Sequence, residues 1–270
     1  MEYGININYF TRVLTLEKAA ELIAKAGFTR LDYTPPLMRD SWERDMKAAL
    51  GVFKDYGLKV HQTHAPFNRY GTYKDSHSLC LDRCAEATAF MGAEFMVAHG
   101  DEFDFDAFEF SPEAALDHNH RLFLPYVELG EKCGYKIAFE TVFEDARKVR
   151  RYTSDADELM DLISSFKKDN VVCCWDSGHA HVSFGDKAPE VIRRFGSLVQ
   201  CTHIHDNIGN DSHQMPMSGD IDWKKVMDAF RDIGYQGVTS VEYAHVRLPQ
   251  DLMEDFITLT YRSAESLWRL

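Results

Sequence analysis

The sequence lacks the features that mark membrane, secreted and nucleotide-binding proteins. Its 270 residues contain no run of 18 apolar residues, and the start MEYGININYF has no basic segment followed by an apolar one. The six cysteines form no CxxC pair, and no strand-like run is followed by a GxGxxG or Walker-type loop. We therefore expect a cytoplasmic protein that does not span a membrane and whose apolar-flanked thiols are buried and reduced.

Positive charge is also scarce. The chain has 30 Lys and Arg against 43 Asp and Glu, a formal net charge of −13. An acidic surface repels phosphate backbones, so nucleic acid is expected to be a poor partner. Hydrophobic residues make up 45% of the chain, which is typical of a globular protein large enough to bury a sizeable core.

Short β-type runs alternate with amphipathic helical patterns along the whole chain. The predicted strands span residues 3–8, 29–33, 59–64, 94–99, 136–140, 171–176, 198–205 and 237–243. Placed to end helices in the left-handed conformation are Gly27, Gly57, Gly134 and Gly234. Eight such units without a linker predict an α/β protein, a single-domain (β/α)8 TIM barrel over residues 1–270. An open doubly wound sheet is the alternative, and the missing Gly-rich loops disfavour it.

Acidic or imidazole side chains end six consecutive predicted strands, from the third onward. They are His64, His99, Glu140, Asp176, His203 (or His205, on the same strand face) and Glu242. Active sites of such barrels lie at the carboxyl ends of the strands. A carboxylate that ends an apolar run such as KIAFE must be paired or metal-bound, because burying it alone is too costly. With His179 three residues after Asp176, this set predicts a site for Mn²⁺, Co²⁺, Mg²⁺ or Zn²⁺; a purely structural polar cluster is the alternative.

Three other features each allow two interpretations. Arg247, just past Glu242, is a candidate anchor for an anion or hydroxyl, or else a surface salt bridge. The segment DEFDFDAFEF lacks EF-hand spacing, so a solvated loop or lid is favoured over a calcium site. Aromatic residues near the strand ends form either a pocket wall or ordinary packing; they are Phe67, Tyr70, Phe103, Phe105 and Phe108.

The ordered motifs of the chain resemble those of a known superfamily. They are HAPF (64–67), VAHG (97–100), AFET (138–141), WDSGHAH (175–181), THIHDN (202–207), DSHQMPMSGDIDW (211–223) and SVEY (240–243). Together they resemble the xylose isomerase-like barrels, which include sugar and sugar-phosphate isomerases and epimerases and the endonuclease IV type of DNA repair enzyme. The resemblance extends from residue 3 to 245 and rests on the combination, since each motif alone is weak.

The resemblance implies a set of site residues for each branch of the superfamily. In the ketose 3-epimerase branch, the two glutamates act as the acid–base pair, the residue matching His179 contacts the substrate, and one divalent metal is held by Glu140, Asp176, His203 and Glu242. In the endonuclease branch, up to three zinc ions are held, and every matching residue is present: His64, His99, Glu140, Asp176, His179, His203, Asp211, His213 and Glu242. Two departures argue against a simple ketohexose substrate. Thr141 stands where much of the family has Asn, and Gly209 stands where epimerases of free ketoses carry Arg.

The sequence therefore predicts a divalent-metal-dependent isomerase or epimerase of a sugar or polyol-like carbonyl compound, working through an enediolate with Glu140 and Glu242 as acid and base. The expected cofactor is Mn²⁺, Co²⁺ or Zn²⁺, and barrels of this group often form homo-oligomers. Substrate contacts are assigned to His179, His205 and Arg247. Further metal ions are expected at His64, His99, His179, Asp211 and His213. The alternatives are an endonuclease acting on abasic DNA, an enolate-type lyase or dehydratase, and a non-catalytic sugar-binding barrel.

Overall fold

The computed structural model describes residues 1–67, 74–104, 111–144, 149–243 and 248–270. The strands in these ranges are β1 (Tyr3–Asn6), β2 (Arg30–Asp32), β3 (Lys59–His64), β4 (Phe95–Ala98), β5 (Glu102–Asp104), β6 (Lys136–Glu140), β7 (Val149–Arg151), β8 (Val171–Asp176), β9 (Val199–His203) and β10 (Thr239–Val241). Eight of them form one parallel sheet in the order β10-β1-β2-β3-β4-β6-β8-β9, while β5 and β7 pair antiparallel beside it.

The two ends of the parallel sheet meet just beyond β9. Ile204 forms a parallel bridge with Val241: its N–H donates to the carbonyl of Ser240 at 2.7 Å, and its carbonyl accepts from the N–H of Glu242 at 3.2 Å. The sheet is thus a nearly closed barrel in a single domain, and the predicted (β/α)8 fold is confirmed. The doubly wound alternative is wrong, because an open sheet leaves its two outer strands unpaired with each other.

Helices in the same ranges lie between the strands, as the predicted alternation requires. They are α1 (Leu16–Ala26), α2 (Trp42–Asp55), α3 (Lys74–Met91), α4 (Pro112–Cys133), α5 (Ala156–Ser165), α6 (Ser177–Phe184), α7 (Ala188–Phe195), α8 (Trp223–Asp232) and α9 (Met253–Leu267). The four glycines predicted to end helices all have positive φ, from 67° at Gly234 to 114° at Gly27. Among the described residues, no helix combines the length and the apolar character needed to cross a lipid bilayer.

The interior of the barrel is apolar below the site and polar at the carboxyl ends of the strands. A buried cluster inside the sheet consists of Phe95, Val97, Ala138, Val172, Cys174 and Cys201. Side chains two positions apart on a strand face the same way. The next inward position after each part of this cluster is therefore a candidate site residue: His99, Glu140, Asp176 and His203. Five of the six cysteines are buried and all six are free, in agreement with the expectation for the thiols.

Candidate metal centre at the barrel mouth

Glu140 is the hub of the polar cluster. Its side chain is only 1% exposed, and its Oε2 lies 3.0 Å from Nε2 of both His64 and His99. Its Oε1 lies 3.2 Å from Nδ1 of both His179 and His203. Burial alone raises the pKa of this carboxyl, but the surrounding imidazoles, His203 and His99 foremost, hold the pKa well below its usual range. Glu140 is therefore an ionised carboxylate that contacts four imidazoles at once.

His203 joins Glu140 to a second carboxylate at the mouth. Its Nδ1 lies 3.6 Å from Oε2 of Glu242, and its Nε2 lies 3.3 Å from Oδ2 of Asp32. Burial disfavours the charged ring, but Glu242 and Glu140 outweigh it and raise the pKa of His203 well above its ordinary value. Despite these carboxylates, both buried ring nitrogens lack a hydrogen bond within the described ranges. Such nitrogens, next to ionised oxygens, are the donor set that a cation satisfies.

Asp176 completes this group from the end of β8. Its Oδ1 accepts the backbone N–H of His179 at 2.6 Å, and its Oδ2 lies 3.0 Å from Nε2 of His205. Burial raises the pKa of Asp176, but His179 and His205 bring it below the ordinary value. Ligand atoms of Glu140, Asp176, His203 and Glu242 all lie within 4.8 Å of one another. The chemistry and spacing of these four residues fit a divalent metal ion.

A second group of ligand atoms surrounds Asp211. Its Oδ1 lies 3.0 Å from Nε2 of His213 and 3.4 Å from Nε2 of His179, and these imidazoles lower the pKa of Asp211 against the effect of burial. His213 stacks on His205, with ring centroids 3.9 Å apart. His213 also has a φ of 43°, which is uncommon outside glycine and asparagine and is found mostly at turns and functional sites.

The tautomers of two histidines suit metal ligation. Nδ1 of His64 lies 2.8 Å from the carbonyl oxygen of Ala65, and Nδ1 of His179 lies 3.1 Å from that of Thr141. A carbonyl only accepts, so both Nδ1 atoms carry hydrogen. In each ring Nε2 then faces a carboxylate: Glu140 for His64 and Asp211 for His179. Metal-ligating histidines typically have one nitrogen fixed by a backbone carbonyl and the other directed at the ion.

Local packing explains why the sequence places these groups so accurately. The hydroxyl of Thr141 accepts the N–H of Asp176 at 2.9 Å, which gives this departure from the family pattern a structural role between β6 and β8. Asp206 fixes the loop that carries Asp211, because it accepts the indole N–H of Trp223 at 2.7 Å. At Gly178, a Cβ atom would lie 2.0 Å from the ring of His205. A side chain at this position would therefore displace His205 from Asp176.

The predicted site residues that the structure describes lie together at the barrel mouth, with one difference in placement. His205 is fully buried behind His213 and does not line the cavity, so its geometry favours orienting Asp176 over contacting a substrate. Arg247 lies outside the described residues, as do Tyr70, Phe105 and Phe108, while Phe67 stacks on His99 with ring centroids 5.0 Å apart. The roles assigned to the site residues remain predictions.

A cavity of about 780 Å³ opens onto this centre. One wall carries His64, His99, Glu140, His179, Asp211, His213 and Glu242. The wall that follows β1 and β2, between the strands of Glu242 and His64, carries Asn8, Tyr9, Thr11, Arg12, Tyr33, Thr34, Pro35, Pro36, Arg39 and Asp45. Burial and the nearby negative charges of Glu242 and Asp32 raise the pKa of the Tyr9 hydroxyl to about 12, so it remains a hydrogen-bond donor.

Sequence reasoning missed Asp32, Tyr9 and Arg12. Asp32 ends β2, so the strand-end rule would have found it had the rule been applied before the third strand. Its Oδ2 accepts from Nδ2 of Asn6 at 2.8 Å and faces His203, which places it directly behind a candidate metal ligand. Tyr9 and Arg12 lie in the turn after β1, where the sequence carries no motif.

Comparison with known proteins gives the same fold. Residues 20–260 match the model of the xylose isomerase-like TIM barrel family. The uncharacterized protein MJ1311 of Methanocaldococcus jannaschii is 25% identical over 267 residues, 92% of this chain and 85% of that protein. The IolI protein with a bound zinc atom superposes with a TM-score of 0.78 at 18% identity, covering 99% of this chain and 98% of IolI. A D-psicose 3-epimerase solved in the presence of D-fructose gives 0.77 at 15% identity, covering 100% and 98%. The chain therefore belongs to the family of xylose isomerase-like TIM barrels.

Proposed function

We propose that the protein is a divalent-metal-dependent isomerase or epimerase of a sugar-like carbonyl compound. The observation that carries the proposal is the pair of glutamates at one buried imidazole: Nδ1 of His203 lies 3.2 Å from Oε1 of Glu140 and 3.6 Å from Oε2 of Glu242. Both carboxylates line the cavity and so can be reached by a substrate. Two such groups at one centre suit a reaction that removes a proton and returns one.

The residues of the site divide this chemistry between them. A divalent ion held by Glu140, Asp176, His203 and Glu242 would supply Lewis-acid stabilisation of the negative charge that develops on the carbonyl oxygen. One of the two glutamates would remove the proton beside the carbonyl, and the other would return a proton at the opposite face or the neighbouring carbon. His179, which lines the cavity, would orient a substrate hydroxyl. The fixed carboxylates need little rearrangement to do this.

The solved structures of similar fold support the substrate class and the metal. One acts on D-psicose by its name, and another, IolI, binds zinc. A third is a 3-keto-D-glucoside 4-epimerase. A small carbonyl sugar and one of Mn²⁺, Co²⁺ or Zn²⁺ are therefore the ligands to test first.

The test is proton exchange next to the carbonyl. The metal-loaded protein is incubated in D₂O with a panel of ketoses and their derivatives, and deuterium incorporation and epimer formation are followed by NMR. We expect exchange with at least one class of compound and a loss of about 10²- to 10⁴-fold in both Glu140→Gln and Glu242→Gln. Elimination of water from the substrate, seen as new product signals in the same spectra, would identify a lyase or dehydratase.

The matched control is Glu86→Gln, an exposed glutamate on α3. It removes the same charge away from the site and is expected to exchange at the normal rate. Metal content is measured for all variants, because Glu140 is also a candidate ligand. Near-normal exchange by a Glu140→Gln variant that retains its metal would sink the assignment of this residue.

A second candidate function is hydrolysis of abasic-site phosphodiesters. The observation in its favour is that the described residues offer three groups of candidate ligands: His64, Glu140 and His203; Glu140, Asp176, His203 and Glu242; and His179, His205, Asp211 and His213. The net charge of −13 opposes binding to DNA. Three zinc ions per chain together with clean incision of abasic duplex DNA would favour this function, and one ion without incision would favour the isomerase.

A further inference from the structure

On the cavity wall after β1, one arginine has no carboxylate partner among the described residues. Arg12 ends the short turn Phe10–Arg12 after β1 and lines the cavity. Its guanidinium makes no ion pair and no hydrogen bond within the described ranges of the chain. Arg30 and Arg193, by contrast, each pair with a carboxylate at 2.8 Å. In a chain with 43 acidic and 30 basic residues, a cation that faces a cavity without a partner is an unused binding group.

The guanidinium of Arg12 is held in place by an aromatic ring. Its central carbon lies 4.7 Å from the centroid of the Tyr9 ring, within the range of a cation–π contact. A guanidinium held over a ring still has N–H groups to donate, and these form the fork that matches a carboxylate or phosphate. Tyr9 lines the same cavity as Glu242, so one substrate can touch both the metal centre and this ring.

Two neighbouring arginines sharpen the contrast. Arg151 also lines the cavity, but its Nε lies 2.8 Å from Oε1 of Glu102, which neutralises it. Arg39 lines the same wall as Arg12, and its Nη1 is 4.0 Å from Oδ2 of Asp45, at the limit of an ion pair. Asp45 is already bound by the hydroxyl of Ser41 at 2.8 Å. As far as the described residues show, the wall after β1 and β2 thus presents Arg12 unpaired and Arg39 weakly paired to the cavity.

We propose that Arg12, assisted by Arg39, forms a subsite for a negatively charged group on the substrate, a carboxylate or a phosphate, at the end remote from the reacting carbonyl. This inference rests on the proposed function and narrows its substrate to acidic sugar derivatives. A neutral sugar would leave Arg12 without a counterion among the described residues and Arg39 with only its 4.0 Å contact to Asp45. An acidic substrate is held at both ends: its carbonyl end at the metal centre and its anionic end at Arg12.

The test uses three probes with one carbon skeleton: D-fructose, D-fructose 6-phosphate and D-fructuronate. Binding to the metal-loaded protein is measured by calorimetry at low salt, and proton exchange is followed on the same samples. We expect at least one anionic probe to bind about tenfold or more tightly than D-fructose, because a charged hydrogen bond contributes about 1.5–3 kcal/mol. The ratio of the affinity for the anionic probe to the affinity for D-fructose should fall close to one in Arg12→Met and to an intermediate value in Arg12→Lys.

Arg121→Met is the matched control. Arg121 is 71% exposed on α4 and pairs with Asp117, so this variant loses the same charge away from the cavity and should keep the full ratio. The preferred anionic probe shows whether the subsite fits carboxylate or phosphate. Equal binding of all three probes, or an anionic preference that survives Arg12→Met with an unchanged melting temperature, overturns the inference.

The inference and the proposed function fail in different measurements. If the protein exchanges a proton of D-fructose but binds the anionic probes no more tightly, the subsite is wrong and the isomerase proposal stands. An anionic preference that depends on Arg12, without exchange on any probe, keeps the subsite and counts against the isomerase.

Discussion

The two walls of the cavity differ in how their side chains are held. On the metal wall, Glu140, His203 and Asp176 are buried. Glu140 lies 3.2 Å from His203, and His179 joins it to Asp176, at 3.2 Å from Glu140 and 3.6 Å from Asp176. On the arginine wall, the wall after β1 and β2, Arg12 and Arg39 are exposed and weakly partnered. A site that does chemistry needs side chains that packing and hydrogen bonds hold in a fixed geometry. We therefore expect substitutions on the metal wall to alter turnover and metal affinity. Substitutions on the arginine wall should alter substrate affinity.

The largest expected effect is that of metal removal, which disables the metal wall alone. Chelation should reduce proton exchange by about 100-fold or more, because the Lewis acid is lost while the arginine wall is untouched. Adding back Mn²⁺, Co²⁺ or Zn²⁺ should restore it. The control is treatment with chelator already saturated with metal. Unchanged exchange in protein with no detectable metal would contradict the proposed centre.

A smaller loss is expected from Asp32→Asn, which acts behind the metal wall. Oδ2 of Asp32 lies 3.3 Å from Nε2 of His203, and removing a carboxylate behind a metal ligand typically weakens metal binding about 10- to 100-fold. Exchange should largely return when the metal is saturating. Asp45→Asn removes a carboxylate from the arginine wall and should leave metal affinity unchanged. Equal metal affinity in wild type and Asp32→Asn would show that Asp32 serves packing alone.

Gly178→Ala tests how rigidly the metal wall is packed. The new Cβ would lie 2.0 Å from His205, so we expect the free energy of unfolding to fall by about 1–3 kcal/mol and Asp176 to lose its imidazole partner. Gly51→Ala is the control, because a Cβ there meets nothing within 4 Å and the position is in helix α2. It should be neutral or stabilising by up to about 1 kcal/mol. Urea unfolding measures both, and a Gly178→Ala protein as stable as wild type would show a more compliant wall.

The smallest effect is expected for Tyr9→Phe on the arginine wall. The Tyr9 hydroxyl, kept protonated by a pKa of about 12, can donate to the substrate. Losing one hydrogen bond of about 0.5–1.5 kcal/mol should raise KM by a few-fold, with a smaller change in kcat. Steady-state kinetics separate the two constants. A fall in kcat that exceeds the rise in KM would show that Tyr9 acts in the chemical step. The assignment of the arginine wall to substrate binding alone would then be wrong.

Much of the barrel was predictable because its determinants are local. Gly27 and Gly134 end helices through their own backbone conformation, and strands such as KIAFE show their buried faces in their composition. The ends of those strands identified Glu140 and Asp176 for the same reason. The fold and the strand-end candidates for the site therefore follow from patterns a few residues long.

The remaining parts of the site depend on contacts between distant segments. Asp32 meets His203 across 171 positions of sequence, so no local pattern pairs them. His205 was expected to face the mouth, but the loop held by Asp206 folds His213 over it. The proposed Arg12 subsite depends on the lack of a carboxylate neighbour among the described residues, a property of the three-dimensional surroundings.

The bridge between Ile204 and Val241, where the barrel closes, lies between two candidate metal ligands. His203 directly precedes Ile204, and Glu242 directly follows Val241. An ion bound by both residues would therefore crosslink β9 to β10 at the point where the barrel closes. Amide hydrogen exchange at Ile204 and Glu242, whose N–H groups form the bridge, should therefore slow when metal is added. Metal binding would then stabilise the closed barrel and complete the candidate active site in the same step.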